Sequence, residues 1–299
     1  MDRICLSPFF SFSILLLLDM LLFAAIPLSS STPFIVLHGI SMQCNDAGSI
    51  YYTMTLTTLT KVKGSCVEVG NGLMDSWMMP MNNQVENACG KLKAMPELKD
   101  GYNMVALSQG NMVGRGVIEL CDGPPVKNFI SVGGPNAGHS STIACGPFPW
   151  CAQIGIFYGM GVYTPYVQEH LAPSGYIKLP NDIPAYLREC KFLPKINNEV
   201  EDSENALRKK RFSSISQLVL VLFMGDTIIL PQESSWFGYY PNGDFAKVVP
   251  MQQTDVYLKD LFGLQTLDKA GKIKFFKVPG QHLVITVPEI QQFILPYMT

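Results

Sequence analysis

The chain has 299 residues, 47% hydrophobic and 15% charged, with a formal net charge of −2. That is enough apolar material for one large core or two small ones. The near balance of 22 basic and 24 acidic residues argues against charge-driven attachment to nucleic acid or to an anionic membrane surface.

Residues 1–31 read as a secretory signal peptide. Arg3 gives a positive start, FFSFSILLLLDMLLFAAIPL the apolar core, and Ser29 to Ser31 small residues for cleavage. Asp19 inside the apolar run weighs against a permanent span, an uncleaved anchor being the alternative. No later stretch is long and apolar enough to cross a bilayer. PFIVLHG then reads as a short strand ended by glycine, SCVEVG as a second strand, and NQVENACGKLKAM as a helix from about Asn83. Between the first two, Asn45 to Ser65 is rich in β-branched residues and reads poorly as a helix. YNMVAL predicts a strand, QGNMVGRGVIELC a helix, and VKNFISVGG a strand closing on a glycine pair. From about residue 139 to 214 the pattern turns to Pro, Gly and aromatics, which reads as a largely helical insertion. Its RKKR run, Arg208 to Arg211, reads as a solvated helix face. Strand SQLVLVLFMGD, strand KIKFFKVPGQH and helix PEIQQFILPYM complete the chain. Strands alternating with helices imply one α/β domain over 32–299, its mostly parallel sheet covered on both faces.

Cys5 belongs to the leader, leaving Cys44, Cys66, Cys89, Cys121, Cys145, Cys151 and Cys190. In an oxidising compartment most should pair, with one left over. None lies in a C-x-x-C pair or near a histidine at zinc-ligand spacing, so neither a metal nor another cofactor is expected. The chain has no N-x-S/T sequon.

The chemistry concentrates at NMVALSQGNMVG, which puts Ser108 between a strand and a helix. A hydroxyl is a weak nucleophile that needs a base, a group to orient the base, and donors for the developing oxyanion. The α/β-hydrolase layout supplies these in the chain order serine, acid, histidine, with small residues packed around the serine turn. Gly110 fits two positions after Ser108, and Ala106 replaces the usual glycine two before. Asp226 follows the apolar strand LVLVLFM, and His282 follows KIKFFKV; of His38, His139, His170 and His282 only the last comes after both. Taken singly, Ser108 could cap a helix, Asp226 belong to a turn with Gly225, and His282 lie in a surface loop. Their order and strand-end positions together favour the triad. The loop after the first strand can supply the second oxyanion donor, so the backbone N–H groups of Ile40 and Gln109 are the candidates. His38 is read as structural.

GYNMVALSQGNMVGRGVIELCDGPPVKNFISVGGPNAG closely resembles the nucleophile region of palmitoyl-protein thioesterases. The stretch from SSWFGYYP to LDKAGKI, together with GQHL, resembles their C-terminal part, and KFLPKINNE their plant branch. The likeness runs from Pro33 to Tyr297. It implies an α/β-hydrolase domain with a helical insertion forming a fatty-acyl groove, acting on S-acylated proteins in a lysosome or vacuole, or after secretion. It carries nucleophile, acid and base onto Ser108, Asp226 and His282. It also places disulfides at Cys89–Cys121 and Cys145–Cys151; Cys44–Cys66 is then a guess for a third pair, with Cys190 odd. The departure is HGISM, where the family runs H-G-x-G-D: Ser41 and Met42 replace glycine and aspartate.

Acyl selectivity has to come from apolar burial, at about 0.8 kcal/mol per CH₂. Trp77, Phe148, Trp150, Ile156, Phe157 and Met160 are the groove candidates, though such residues also form ordinary cores. Two alternatives stand beside the thioesterase: an oxygen-ester lipase or carboxylesterase on the same fold, and an acyl-binding relative weakened by its HGISM loop.

Overall fold

The computed structural model describes residues 32–143 and 151–298. The signal-peptide reading of residues 1–31, and Cys145, Phe148 and Trp150, lie outside the described residues. Six parallel strands form one sheet in the order β2-β1-β3-β4-β5-β6. They are β1 Phe34–Leu37, β2 Gly64–Val67, β3 Tyr102–Leu107, β4 Val126–Val132, β5 Gln217–Phe223 and β6 Ile273–Val278. The inner strands are continuous apolar runs because both faces are covered. Along β1, Ile35 and Leu37 enter one core, while Phe34 and Val36 enter the other. Edge strand β6 alternates buried with more exposed positions instead. After β1 the chain turns to β2 on one side, then returns to β3 on the other. This is the topological switch point at which open α/β sheets place their ligands, outside the carboxyl ends of the strands.

Helix α1, Ala47–Thr60, occupies the stretch whose β-branched residues read poorly as a helix. That propensity cost is a few tenths of a kcal/mol per residue, and local and tertiary contacts offset it. Asp46 caps the helix by accepting the Ser49 N–H at 2.8 Å. The hydroxyls of Thr53 and Thr60 bond back to the carbonyls of Ser49 and Leu56. Tyr52 and Leu56 bury themselves against the sheet. Helix α2, Met81–Lys93, begins two residues before Asn83, immediately after Pro80. Helix α3, Gly110–Leu120, follows the serine turn. The Cys89–Cys121 disulfide ties α2 to the end of α3, and Cys44–Cys66 ties the loop after β1 to β2. Cys151 is also disulfide-bonded, and Cys190 is a buried free thiol.

Between β4 and β5 the chain is mainly helical, with α4 at Cys151–Met160 and α5 at Asn205–Ser213. The RKKR run on α5 is a solvated face only in part, with Lys210 exposed and Lys209 half-exposed. Arg208 is buried, bonding Asn198 and Asn205 and pairing with Asp202, while Arg211 donates to the Glu119 carbonyl. A buried guanidinium needs such partners to offset its desolvation. Arg115 on α3 is also fully buried. It donates to Glu119, to the Asn136 and Ile196 carbonyls and to Asn197, and lies 4.4 Å from the Phe262 ring centroid. Among the described residues no helix is long and apolar enough to cross a membrane.

Glu119 is enclosed, and burial pushes its carboxyl up to about 7, against an opposing pull from Arg115. The folded chain therefore holds this proton more tightly than the unfolded chain, whose carboxyl titrates near 4.5. Its contribution to stability is complete below about 4.5 and is lost as pH rises through about 7. In thermal melts at pH 4.5 and 7.5, Glu119→Gln should lose less stability across that interval than the wild type does.

Candidate active site

Strand β3 ends at Leu107, and Ser108 makes the turn into α3 with φ +50°, a left-handed conformation that is rare outside glycine. Its N–H is fixed by the Val132 carbonyl of β4, and its C=O accepts from both the backbone and the side-chain amide of Asn111. Ser108 therefore does not cap the helix; its side chain is held, buried, at the carboxyl end of the sheet. Two glycines let neighbouring backbone approach. A Cβ on Gly110 would lie 2.6 Å from the carbonyl oxygens of Leu37 and His38, and one on Gly39 would lie 2.9 Å from the Ser108 Cβ. Ala106 sits fully buried between β1 and β4, where its methyl joins the core. The position two after the serine demands glycine, whereas the position two before does not.

His282 Nε2 lies 2.9 Å from Ser108 Oγ, and His282 Nδ1 lies 2.7 Å from Asp226 Oδ2. The other oxygen of Asp226 accepts the N–H groups of Ile228 and Ile229 at 2.8 and 3.0 Å. The acid's side chain is 1% exposed and the imidazole 14%, and Ser108 is buried at 4%, so the whole chain of bonds is largely shielded from water. Gly225 N–H bonds to the Gly280 carbonyl, holding the two loops together. From α1, Tyr52 and Tyr51 donate to the carbonyls of Leu283 and Ile285, so the helix misread from sequence braces the histidine loop.

The other histidines have structural surroundings. His38 is buried, accepting the Val69 N–H, with Glu68 2.7 Å away. His139 is buried with its ring nitrogens 2.7 Å from the Ser141 and Ile228 carbonyls, and burial pulls its pKa down. It thereby steadies the residue whose N–H holds Asp226. His170 stacks on Tyr166 at the surface. Cys89, Cys121 and Asp122 have metal-ligand spacing, but both sulfurs are consumed by their disulfide.

The N–H groups of Ile40 and Gln109 donate no backbone hydrogen bond among the described residues. Both flank the Ser108 turn, one after β1 and one after the serine itself. Ser41 takes φ +59°, the conformation glycine would provide, and Met42 packs its thioether over Gly39. The groove candidates divide. Trp77 is 1% exposed and belongs to the core, so it is no wall of an open groove; Ile156 and Met160 are exposed, and Phe157 packs against Tyr166. The sequence reading missed Met224, Ile228, Leu230 and Val284, exposed apolar residues within four positions of Asp226 or His282. Large apolar residues in loops flanking a triad were the available signal. A cavity of about 470 Å³ lies elsewhere, bounded by Lys178, Glu199, Tyr239 and Tyr240, and includes none of the three triad side chains.

Comparison with known proteins gives a match to the palmitoyl protein thioesterase family over residues 33–282. The chain belongs to the palmitoyl-protein thioesterase family. It is a hydrolase of the thioesterase class on an α/β-hydrolase fold. Palmitoyl-protein thioesterase 1 of Caenorhabditis elegans is 40% identical over 205 residues, covering 68% of each chain. Palmitoyl-protein thioesterase 3 of Dictyostelium discoideum is 31% identical over 290 residues, covering 94% of this thioesterase and 97% of the relative. A lysosomal thioesterase of Xenopus laevis is 34% identical over 181 residues, 60% of this chain and 62% of its own.

Gly110→Ala must force the serine turn away from the end of β1. We expect it to cost about 1–3 kcal/mol in chemical denaturation, as overpacking does, and to lower kcat at least tenfold. Ala106→Gly, which restores the usual motif, should bring no gain in rate.

Proposed function

We propose that this thioesterase removes long-chain fatty acyl groups, palmitoyl among them, from cysteine residues of lipidated proteins. Ser108 is the nucleophile, His282 the base and Asp226 the group that orients it. The observation carrying this reading is the unbroken hydrogen-bond chain from Asp226 through His282 to Ser108, in a member of a thioesterase family.

Ser108 Oγ attacks the thioester carbonyl while its proton passes to His282 Nε2. The carbonyl oxygen becomes an oxyanion, facing the N–H groups of Ile40 and Gln109. Collapse of the tetrahedral adduct breaks the C–S bond, and the departing cysteine sulfur takes the proton from His282. A thiolate leaves readily, so this step asks less of the acid than an amide would. Water then gives a proton to His282 and attacks the acyl-serine, releasing the fatty acid and restoring the hydroxyl. Throughout, Asp226 accepts the His282 Nδ1–H and keeps the imidazole in the required orientation.

Met224, Ile228, Leu230 and Val284 offer the acyl chain apolar contact beside the serine, with Ile156 and Met160 of the insertion as further candidates. At about 0.8 kcal/mol per CH₂, a few buried methylenes separate long chains from short ones. Residues 32–299 are read as a single hydrolase domain, with the insertion at about 139–214. The lysosomal relative supports a route through the secretory pathway to a lysosome or vacuole.

With palmitoyl-CoA as substrate, Ser108→Ala should lose at least about 10³-fold in kcat, as should His282→Ala. A wild-type rate in Ser108→Ala would remove the nucleophile assignment. Equal turnover of a matched oxygen ester would move the activity to a general esterase.

A further inference from the structure

The first loop departs from the family pattern at the residue after a proposed oxyanion donor. Ser41 stands in the left-handed region at φ +59° without glycine's freedom. Its relaxation toward extended backbone would rotate the Ile40–Ser41 peptide and re-aim Ile40. Two hydrogen bonds oppose that rotation. Ser41 N–H donates to Ser76 Oγ at 2.9 Å, and the indole N–H of Trp77 donates to Ser41 Oγ at 2.7 Å. Ser76 spends its own hydroxyl proton on the Leu73 carbonyl at 2.6 Å, which leaves its oxygen as an acceptor toward Ser41. Ser76 and Trp77 are each 1% exposed and share the one-turn helix Asp75–Met78.

The same turn reaches the other donor. The Gln109 side-chain amide donates to the Ser76 carbonyl at 2.6 Å, and Gln109 Oε1 accepts the Tyr176 hydroxyl at 2.7 Å. Gln84 donates to the carbonyls of Asp75 and Met79, which fixes the turn itself. One buried helical turn is therefore hydrogen-bonded to the residue after Ile40 and to Gln109.

We propose that Ser76 and Trp77 are positioning residues for the oxyanion hole, clamping Ser41 in the glycine-like conformation and setting the Ile40 and Gln109 amides at a common geometry. This rests on the reading that those two amides receive the oxyanion. Such a clamp acts on the transition state more than on the bound substrate, so its loss lowers kcat and leaves KM in place. The pairing is also specific: the Trp77 indole acts through Ser41 Oγ, and glycine at position 41 makes it dispensable.

The test measures palmitoyl-CoA hydrolysis by wild type, Trp77→Phe, Ser41→Gly and the double variant, each normalised by titration with a long-chain fluorophosphonate. Trp77→Phe should lose about tenfold in kcat, a fraction of what removing a whole donor costs, with KM within about twofold. Ser41→Gly should stay within about threefold of wild type, and adding Trp77→Phe to it should change kcat less than about twofold. Wild-type kcat in Trp77→Phe, or the same tenfold loss in the glycine background, would overturn the clamp and leave the triad reading intact. A wild type that is neither labelled nor active would overturn the proposed function, and the clamp with it.

Discussion

The site depends on how closely the chain leaving β1 approaches the turn that follows β3. Those strands are hydrogen-bonded neighbours at the switch point of the sheet, so the two loops emerge side by side. Gly39 faces the Ser108 Cβ, and Gly110 faces the carbonyls of Leu37 and His38, each at a separation that excludes a methyl group. This contact sets the serine beside the Ile40 amide and starts α3 directly behind it. A displacement here would separate the proposed nucleophile from a proposed oxyanion donor.

The other half of the proposed triad comes from the far side of the sheet. Strands β5 and β6 are paired from Leu218↔Ile273 to Phe223↔Val278, so the loops carrying Asp226 and His282 start from a common level. Backbone bonds then specify the details: Gly225 to Gly280, Ile228 and Ile229 to the carboxylate, and tyrosines of α1 to the carbonyls after His282. Side chains held by several such bonds lose little freedom when substrate binds, which is how a loop can present a catalytic group with useful accuracy.

The parallel sheet was legible because each inner strand is an apolar run between turn residues, and the Ser, Asp, His order because each stands at a strand end. Helix α1 was not. Its sequence carries threonines that disfavour a helix, and what stabilises it is a cap, the burial of Tyr52 and Leu56, and tyrosine hydrogen bonds to carbonyls 231 and 234 positions away. The RKKR run misled for a related reason: local charge suggests water, while Asn198, Asp202 and the Glu119 carbonyl arrive from other segments. Ser41 looked like a lost glycine because its partners Ser76 and Trp77 lie 35 and 36 positions away. Trp77 looked like a groove residue because aromatic size is visible in sequence and an indole hydrogen bond is not.

The buried arginine adds one more coupling. Arg115 lies on the helix that starts just after Ser108 and pairs there with Glu119, while its remaining bonds go to the Asn136 and Ile196 carbonyls and the Asn197 side chain, and its face rests near Phe212, Phe237 and Phe262. Apart from Glu119, each of these partners lies after β4, several in the region read as the insertion. Holding a guanidinium away from water is costly unless every donor is satisfied, so the arrangement resists partial opening. A segment that drew away from α3 would leave the Nη donors short of their carbonyl and amide partners, with only Glu119 remaining. The residues around Asn197 are thus tied to the helix after Ser108 by a buried polar group, and apolar packing alone would have allowed them to slide.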